Sequence, residues 1–139
     1  ILKTITRNLR SDFKLDTKNA LIKVEPQLIQ QVIFNLIQNA SQAMEGQKEP
    51  AVLTVRSTLL SNGFVELSIQ DSGPGIPNEI QQKIFEPFFT TKSENQGTGL
   101  GLSLSREILR RFGGELELIS SPGKGALFKI QLPISEEIK

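Results

Sequence analysis

The stretch from Pro26 to about Met44 constrains the fold most, because its pattern predicts one long helix with two unlike sides. Pro26 suits the first helical turn, where its missing N–H is not needed, and Gly46 suits the end of the helix. At 100° per residue one side is apolar, with Ile29, Ile33, Leu36, Ile37, Ala40 and Met44. The opposite side carries amides without charges, namely Gln31, Asn35, Gln38, Asn39 and Gln42. We expect the apolar side to face the core.

Alternation of apolar and polar residues predicts most of the strands. Two hairpins are expected: residues 52–59 and 64–70 around Ser61-Asn62-Gly63, and residues 115–120 and 127–132 around the turn at 121–125. A second helix is predicted over residues 99–112 and a short one over 80–85, with a mobile loop at 90–97. Near the N-terminus the pattern predicts a strand over 1–8, a loop over 10–19 and a short strand over 21–24.

These elements predict an α+β fold, a two-layer α/β sandwich in which about three helices cover one face of a mixed, mostly antiparallel sheet. The 139 residues suit a single domain, 1–139, and the 37% hydrophobic content is sufficient for a modest core. We therefore expect one compact unit rather than a doubly wound sheet.

The charge and the missing residue types narrow the function. With 16 basic and 15 acidic side chains the net charge is +1, which argues against a nucleic-acid partner. The absence of cysteine excludes disulfides and thiolate metal sites, and the absence of histidine means that any imidazole chemistry requires another chain. No apolar run approaches the roughly 20 residues that span a bilayer. We expect a cytoplasmic domain with no direct membrane contact, whatever anchors the full-length parent.

Asn35 and Asn39 lie one turn apart on the amide side of the long helix. The carbonyl oxygen of Asn39 suits Mg²⁺, which keeps several waters and takes further oxygens from substrate phosphates. Asn35 could reach a phosphate or a magnesium-bound water. The alternative is an ordinary solvated helix face, which would be the better explanation for any isolated pair of asparagines. A narrow stripe of amides without Lys or Glu weakens that alternative.

Asp71 continues the face of Val65, Leu67 and Ile69 at the end of a predicted strand, so its carboxylate should point toward the core. A buried carboxylate needs a partner, and the exocyclic amine of adenine is a suitable donor. Gly73 and Gly75 would allow backbone to approach the base closely. The alternative is an aspartate that only starts a tight turn, because Asp-Ser-Gly is common turn material.

The run Gly97-Thr98-Gly99-Leu100-Gly101 leads into the second helix. Its N–H groups and the positive end of the helix dipole would form an anion cradle for a triphosphate. The motif is weak alone, and it matches neither a P-loop nor a dinucleotide fingerprint. Lys92 would neutralise phosphate charge. A surface lysine that only contributes to solubility is an equally good explanation.

An aromatic cluster and a pair of glycines are explained most simply by the fold. Phe85, Phe88 and Phe89, with Pro87, are mostly core, and they would anchor one end of a lid. The glycines at 123 and 125 most simply form a hairpin turn, although they could also line the base pocket.

Five segments together resemble the N, G1, F, G2 and G3 boxes of the histidine kinase catalytic and ATP-binding domain. They are Asn35-Leu-Ile-Gln-Asn39-Ala40, Asp71-Ser-Gly73-Pro-Gly75, Phe85-Glu-Pro-Phe88-Phe89-Thr-Thr-Lys92, Gly97-Thr-Gly99-Leu-Gly101-Leu102 and Gly123-Lys-Gly125. The order and spacing cover nearly the whole chain. The phrases Asn39-Ala-Ser-Gln-Ala-Met44 and Glu86-Pro-Phe-Phe-Thr-Thr-Lys92 look most like kinases related to the nitrogen-regulation sensors.

The resemblance implies a Bergerat-type fold, shared with gyrase, Hsp90 and MutL ATPases, and it implies ATP and Mg²⁺ as ligands. It places Asn39 on the metal, Asp71 on adenine, and Asn35 and Lys92 in catalytic contact with the phosphates. The nucleotide-binding residues it implies are Asn35, Asn39, Asp71, Gly73, Gly75, Ile76, Lys92, Gly97, Thr98, Gly99, Leu100, Gly101 and Leu102. A lid is expected between the F and G2 boxes.

Two departures from the family pattern affect the expected chemistry. Hydrolysing relatives and anti-sigma-factor serine kinases have a general-base glutamate where this chain has Asn35, so we expect feeble ATP hydrolysis. Ala126 stands where the family often has Thr or Ser, so we expect a missing hydroxyl contact and weaker, more water-dependent adenine binding.

The resemblance implies transfer of the γ-phosphate to a histidine of a separate helical dimerisation domain of the same kinase, and a response regulator receiver domain as a further partner. Because the chain has no histidine, we interpret it as a fragment without that dimerisation domain. Two alternatives remain open: a serine/threonine kinase of the anti-sigma type, and a non-catalytic ATP-binding docking module.

Overall fold

The computed structural model describes residues 10–16, 22–89, 101–120 and 123–135. The described residues form five strands, β1 to β5, and two α-helices, α1 and α2. In chain order these are β1 Arg10–Asp16, α1 Pro26–Ala43, β2 Val52–Leu59, β3 Phe64–Asp71, α2 Gly101–Arg111, β4 Glu115–Ser120 and β5 Ala126–Pro133. The predicted strand over 1–8 and the predicted loop over 90–97 lie outside the described residues.

The sheet has the order β1-β2-β3-β5-β4, with β1 parallel to β2 and the other neighbours antiparallel. Strand β3 is therefore central, and its last residue, Asp71, lies opposite Leu53 of β2. On the other side Gln70 pairs with Leu127, which brings the start of β5 beside the end of β3. This is the mixed, mostly antiparallel sheet that the alternation predicts, and the α+β fold class is confirmed.

Helix α1 begins at Pro26 and ends at Ala43, as the sequence predicts, with Met44 as its C-cap. The line of buried residues differs slightly from the prediction, because Val32 is fully buried with Leu36, Ala40 and Met44. Ile29, Ile33 and Ile37 are only partly buried against the core. Because α1 packs against both β3 and α2, its buried line follows every fourth residue rather than the centre of the apolar side.

The core lies between the two helices and the inner face of the sheet. Strand β5 shows the simplest pattern, with buried and half-buried residues alternating along its whole length. The buried apolar residues form one cluster: Val32, Leu36, Ala40, Leu53, Val55, Ile69, Ile84, Ile108, Leu109, Leu116, Ala126, Phe128, Ile130 and Leu132. On the outer face of β3 and β5, Glu66 accepts a 2.9 Å hydrogen bond from Gln131.

Three predicted elements were wrong. The described part of the predicted loop 10–19 is strand β1, whose backbone pairs in parallel with β2. Of the predicted strand 21–24, the described residues form only an isolated bridge between Ile22 and Ile134.

The third error concerns residues 80–85, where two single-turn 3₁₀ helices, Asn78–Ile80 and Lys83–Phe85, replace the short α-helix. The segment is confined between Pro77 and Pro87. Glu86, which precedes the second proline, is extended with ψ 141°, so the second turn cannot continue. The two 3₁₀ turns, of three residues each, take the place of the α-helix.

Candidate ATP site

Asp71 lies at the end of the central strand and is only 5% exposed, as the alternation along β3 predicts. Its Oδ1 accepts hydrogen bonds from the N–H of Gly73 at 2.9 Å and the N–H of Ala126 at 3.2 Å. The bond to Gly73 is the turn that the sequence offered as an alternative, so the same aspartate both starts a turn and is buried. Among the described residues nothing donates to Oδ2, which leaves this oxygen for a ligand.

Two glycines close around this carboxylate. A Cβ added to Gly73 would lie 3.1 Å from Oδ1 of Asp71 and 3.2 Å from the carbonyl oxygen of Ala43. At Gly125, which has φ +78°, an added Cβ would overlap the carbonyl oxygen of Asp71 and lie 3.4 Å from its Oδ1. The two glycines thus allow three backbone segments to meet around one acid group. Gly125 therefore lies against Asp71 as well as in the hairpin turn, and its place in a base pocket stays a prediction.

The Ala126 position shows how the chain contacts Asp71 without a hydroxyl. The methyl group of Ala126 belongs to the core, and its backbone N–H donates to Asp71. The expected loss of a hydroxyl contact to the ligand, and the weaker adenine binding expected from it, stay predictions.

Ser120 and Gln81 hold the loop that follows Asp71, and sequence reasoning missed both. The hydroxyl of Ser120 accepts from the N–H of Ile76 and donates to the carbonyl of Gly125, both at 2.9 Å. The Gln81 amide donates to the carbonyls of Ile76 at 2.9 Å and Ser120 at 3.2 Å. Ser120 continues the inward face of Leu116 and Leu118, and a hydroxyl on that face was the available signal. Nothing in the sequence marks Gln81.

The end of helix α1 is tied to the end of β3 by Ser72. Its hydroxyl accepts from the N–H of Val52 at 2.9 Å, and its own N–H contacts the sulfur of Met44 at 3.3 Å. The carbonyl oxygen of Ala43 also lies close to Gly73, 3.2 Å from the position of an added Cβ. Asn39 precedes Ala43 by about one turn, so the amide side of α1 leads directly away from Asp71. Asn39 itself is half-buried.

Asn35 lies one further turn back along α1, where it meets helix α2. Its Nδ2 donates to the hydroxyl of Ser105 at 3.4 Å. An added Cβ on Gly101, the first residue of α2, would lie 3.9 Å from the Asn35 amide. The structure thus brings the amide side of α1 against the first turns of α2. Leu102 is half-buried in the same helix and packs on the core.

Several predicted site residues have no structural description. Lys92, Gly97, Thr98, Gly99 and Leu100 lie outside the described residues. Gly75 and Ile76 follow Gly73 in the loop that Ser120 and Gln81 hold, and both are half-buried. The described site therefore consists of the end of β3, the following loop, the start of β5 and the facing parts of the two helices.

The aromatic cluster is partly different from the prediction. Phe85 and Phe89 pack against the core, but Phe88 is 74% exposed and has a positive φ of 67°. The prediction of a mostly buried cluster is therefore wrong for Phe88. Glu86, which precedes Pro87, is extended, so the helical turn ends before this exposed residue.

Arg106 connects the aromatic segment to helix α2 and strand β4. Its guanidinium lies 4.4 Å from the centre of the Phe85 ring and 3.2 Å from a carboxylate oxygen of Glu115. Arg110 adds a second ion pair to Glu115 at 3.1 Å. Partial burial by itself raises the pKa of Glu115, but the N–H of Leu116 and the two arginines outweigh it and lower the pKa below 4.5.

The electrostatics of Asp71 yield a prediction about pH. Burial raises the pKa of Asp71 above 3.8, and the bonds from Gly73 and Ala126 only partly oppose it. A donor that binds Oδ2 favours the ionised form, so nucleotide affinity should fall as the pH drops through this pKa. Conversely, binding should lower the pKa of Asp71. Carbon-13 titration of the carboxyl group with and without ADP measures this directly, and an unchanged pKa would contradict contact with a donor.

The same raised pKa has a consequence for the fold. A carboxyl group with a raised folded-state pKa stabilises the protein fully below its unfolded pKa, and this contribution disappears as the pH rises through the folded pKa. At neutral pH the ionised carboxylate of Asp71 is therefore less favourable for the folded protein than the protonated group is in acid. A ligand donor at Oδ2 would recover part of that loss.

Comparison with known proteins decides the family. Residues 24–136 match the family described as histidine kinase-, DNA gyrase B- and HSP90-like ATPase. The chain belongs to this family. A solved structure of the nucleotide-free catalytic domain of the histidine kinase ThkA is similar to this chain, with a TM-score of 0.80 and 34% sequence identity. The match covers 95% of this chain and 85% of that one. The expected family and fold are both confirmed.

Curated relatives of this ATPase domain are sensor kinases. AtoS of Escherichia coli, a signal transduction histidine-protein kinase, is 37% identical over 99% of this chain. The two-component sensor PprA of Pseudomonas aeruginosa is 41% identical over 86% of it. The chain spans only 22% and 13% of these two proteins. It corresponds to a histidine kinase catalytic ATPase domain, and membership of an ATPase family implies ATP binding. The finer likeness to nitrogen-regulation sensors stays a prediction.

No helix among the described residues has the length and apolar character that crossing a membrane requires.

Proposed function

We propose that this chain is the catalytic domain of a two-component sensor histidine kinase, and that it presents the γ-phosphate of Mg-ATP to a histidine on a separate helical domain. One observation supports this most strongly. In a chain of this ATPase family, a buried aspartate is held through Oδ1 by two backbone N–H groups and keeps Oδ2 for a ligand.

The base would be recognised at Asp71. Its Oδ2 would accept from the exocyclic amine of adenine, and a hydrogen bond to a charged acceptor contributes about 1.5–3 kcal/mol. Guanine carries a carbonyl oxygen at the corresponding edge, so the same carboxylate would repel it. Gly73, Gly75 and Ile76 would provide the backbone beside the base. The close approaches that the structure shows at Gly73 and Gly125 fit a pocket with no room for additional side chains.

The phosphates would lie toward the other end of the amide side of α1. Asn39 offers a neutral carbonyl oxygen of the kind Mg²⁺ accepts, and a bound Mg²⁺ would neutralise charge on the polyphosphate. Asn35 and Lys92 would contact the phosphates. Backbone N–H groups of residues 97–102 would surround them at the positive end of helix α2.

The acceptor would be a histidine because an amide stands at the position of the family's general base for water. Asn35 occupies the place at which the resemblance puts a glutamate in hydrolysing relatives, and an amide cannot take a proton at neutral pH. A neutral imidazole nitrogen already has its lone pair and needs no base. Because the 139 residues contain no histidine, the acceptor must lie elsewhere.

The implied partners follow from this reaction. We propose that the whole chain, 1–139, forms one ATP-binding domain, that the histidine-bearing helical dimerisation domain of the same kinase accepts the phosphate, and that a response regulator receiver domain receives it next. The domain would act in the cytoplasm. The relatives' names as sensors support these partners.

Phosphate transfer in trans tests this function. The purified chain would be mixed with γ-labelled Mg-ATP and a separately prepared histidine-bearing dimerisation domain. We expect acid-labile label on histidine of the second protein and very little free phosphate. Nucleotide binding without transfer would support a docking module instead, and acid-stable label on serine or threonine would support an anti-sigma-type kinase. Either result would refute the proposal.

Removing the proposed metal ligand should separate metal-dependent from metal-independent binding. We expect Asn39→Ala to lower the affinity for Mg-ATP by about tenfold, through loss of one charge-assisted ligand contact, and to leave the affinity for metal-free ATP nearly unchanged. Calorimetry with and without Mg²⁺ measures both values. Gln31→Ala removes an exposed amide from the same side of α1 and serves as the control. An equal loss in both conditions would contradict a metal role for Asn39.

A further inference from the structure

Ser105 is a buried polar side chain for which the proposed reaction has no assigned role. Among the described residues, only Asp71 and Ser105 are polar or charged and buried, and Ser105 has no exposed surface at all. It lies in helix α2 one turn after Gly101, the first residue of that helix. Its hydroxyl oxygen accepts a hydrogen bond from Nδ2 of Asn35 at 3.4 Å.

This contact brings the Asn35 side chain to the first turns of helix α2. Gly101 lies close to the same amide, because an added Cβ there would lie 3.9 Å from both Cγ and Nδ2 of Asn35. Ser105, one turn further along the same face of α2, accepts from Nδ2. The first N–H groups of a helix have no partner within the helix, and they form its positive end. The Asn35 side chain therefore lies between helix α1 and the first turns of α2, the helix end that we propose for the phosphates.

We infer that Ser105 is a positioning residue for Asn35, and that its buried hydroxyl fixes the rotation of the Asn35 amide toward the phosphates and metal of bound Mg-ATP. This inference rests on the proposed function. A primary amide has two donors and one acceptor oxygen. When one N–H is bound to Ser105, Oδ1 lies on the other branch of the planar amide, and this oxygen and the second N–H remain for the ligand. Without the hydroxyl, the amide is free to rotate.

A role in packing alone predicts a different outcome from a role in positioning. Serine is less favourable than alanine inside a helix, and the difference in volume is small. If Ser105 only fills space, Ser105→Ala should leave phosphate transfer unchanged, since Asn35 is half-buried and water can satisfy its amide. If Ser105 positions Asn35, the same variant should keep the fold and lose function.

A double-mutant cycle between Asn35 and Ser105 tests the inference. The variants are Ser105→Ala, Ser105→Cys, Asn35→Ala and the Asn35→Ala/Ser105→Ala double variant. Cysteine fills the serine volume with a weak acceptor, so it controls for packing. The readouts are the melting temperature, the affinities for adenosine and for a non-hydrolysable Mg-ATP analogue, and the rate of transfer to the histidine-bearing domain at saturating ATP.

We expect Ser105→Ala and Ser105→Cys each to lower the transfer rate and the Mg-ATP-analogue affinity by about three- to tenfold, the effect of one lost hydrogen bond. Adenosine affinity and melting temperature should stay at the wild-type values. In the Asn35→Ala background, Ser105→Ala should have no further effect, because the amide that it positions is gone.

Three results would overturn the inference. If Asn35→Ala lowers analogue affinity and the Ser105 variants do not, Ser105 has no positioning role and the proposed function stands. If adenosine affinity falls as much as analogue affinity, Ser105 acts through the fold. If the effects of Asn35 and Ser105 simply add, the two residues act independently. Failure of the wild-type chain to transfer phosphate would instead refute the proposed function, and the two affinities would still test Ser105.

Discussion

Replacing Asp71 with asparagine is expected to weaken ATP binding by about 10- to 100-fold and to leave the fold intact, because it removes a hydrogen bond to a charged acceptor. Asparagine has nearly the shape of aspartate, and its Oδ1 can still accept from the N–H groups of Gly73 and Ala126. The change is confined to the position of Oδ2, where an NH₂ group would then face the amine of adenine. Two donors would meet, and the contact would be lost.

The same substitution should alter the choice of base. An NH₂ group at this position can donate to the carbonyl oxygen of guanine, so GTP affinity should rise while ATP affinity falls. The ratio of ATP to GTP affinity should therefore fall by more than the ATP affinity does. Calorimetry with both nucleotides measures the ratio, and circular dichroism with thermal melting checks the fold. If ATP affinity and base preference both match the wild type, Asp71 does not recognise adenine.

Gly125→Ala is expected to be the most disruptive single methyl addition in the site. The residue has φ +78°, and the new Cβ would overlap the carbonyl oxygen of Asp71. The left-handed backbone costs about 1–2 kcal/mol for a residue with a Cβ, and forcing an atom into a packed region costs a similar amount. We expect the free energy of unfolding to fall by about 2–4 kcal/mol, with loss of ATP binding because the hairpin must move away from Asp71.

Gly123 offers a matched control in the same turn. It has φ +80°, and an added Cβ there would meet nothing within 4 Å. Gly123→Ala should therefore show only the backbone cost of about 1–2 kcal/mol, and it should retain most of the ATP affinity. Urea denaturation gives the free energy of unfolding of both variants, and their difference is the destabilisation due to contact with Asp71. Equal destabilisation of both variants would mean that the close approach to Asp71 is unimportant.

The fold was predictable where neighbouring residues determine it. The hairpin between β2 and β3 follows from alternation around Asn62-Gly63, and helix α1 follows from Pro26 and the apolar spacing. Strand β1 was missed because its partner, β2, is distant in sequence and joins it in parallel, so no local turn indicates the pairing. The 3₁₀ turns at residues 78–85 were missed because the pattern of a short helix does not distinguish the two kinds of turn.

The site was predictable where a side chain carries the signal. Asp71 could be found because period-two alternation puts a charge on a buried face, and its burial is confirmed. The hydrogen bond from the N–H of Ala126 could not be predicted, because every residue but proline has such a donor. Only the strand order brings this donor to Asp71. The contact between Asn35 and Ser105 likewise depends on how two helices pack. The ligand roles of Asn35, Asn39 and Asp71 stay predictions.

A crystal structure of this chain with Mg²⁺ and a non-hydrolysable ATP analogue tests the central claim most directly. We expect the adenine amine within hydrogen-bonding distance of Oδ2 of Asp71, and Mg²⁺ bound by the side-chain oxygen of Asn39 and by phosphate oxygens. A nucleotide bound elsewhere, or in this pocket with its triphosphate directed away from Asn39, would contradict the proposed roles of both residues.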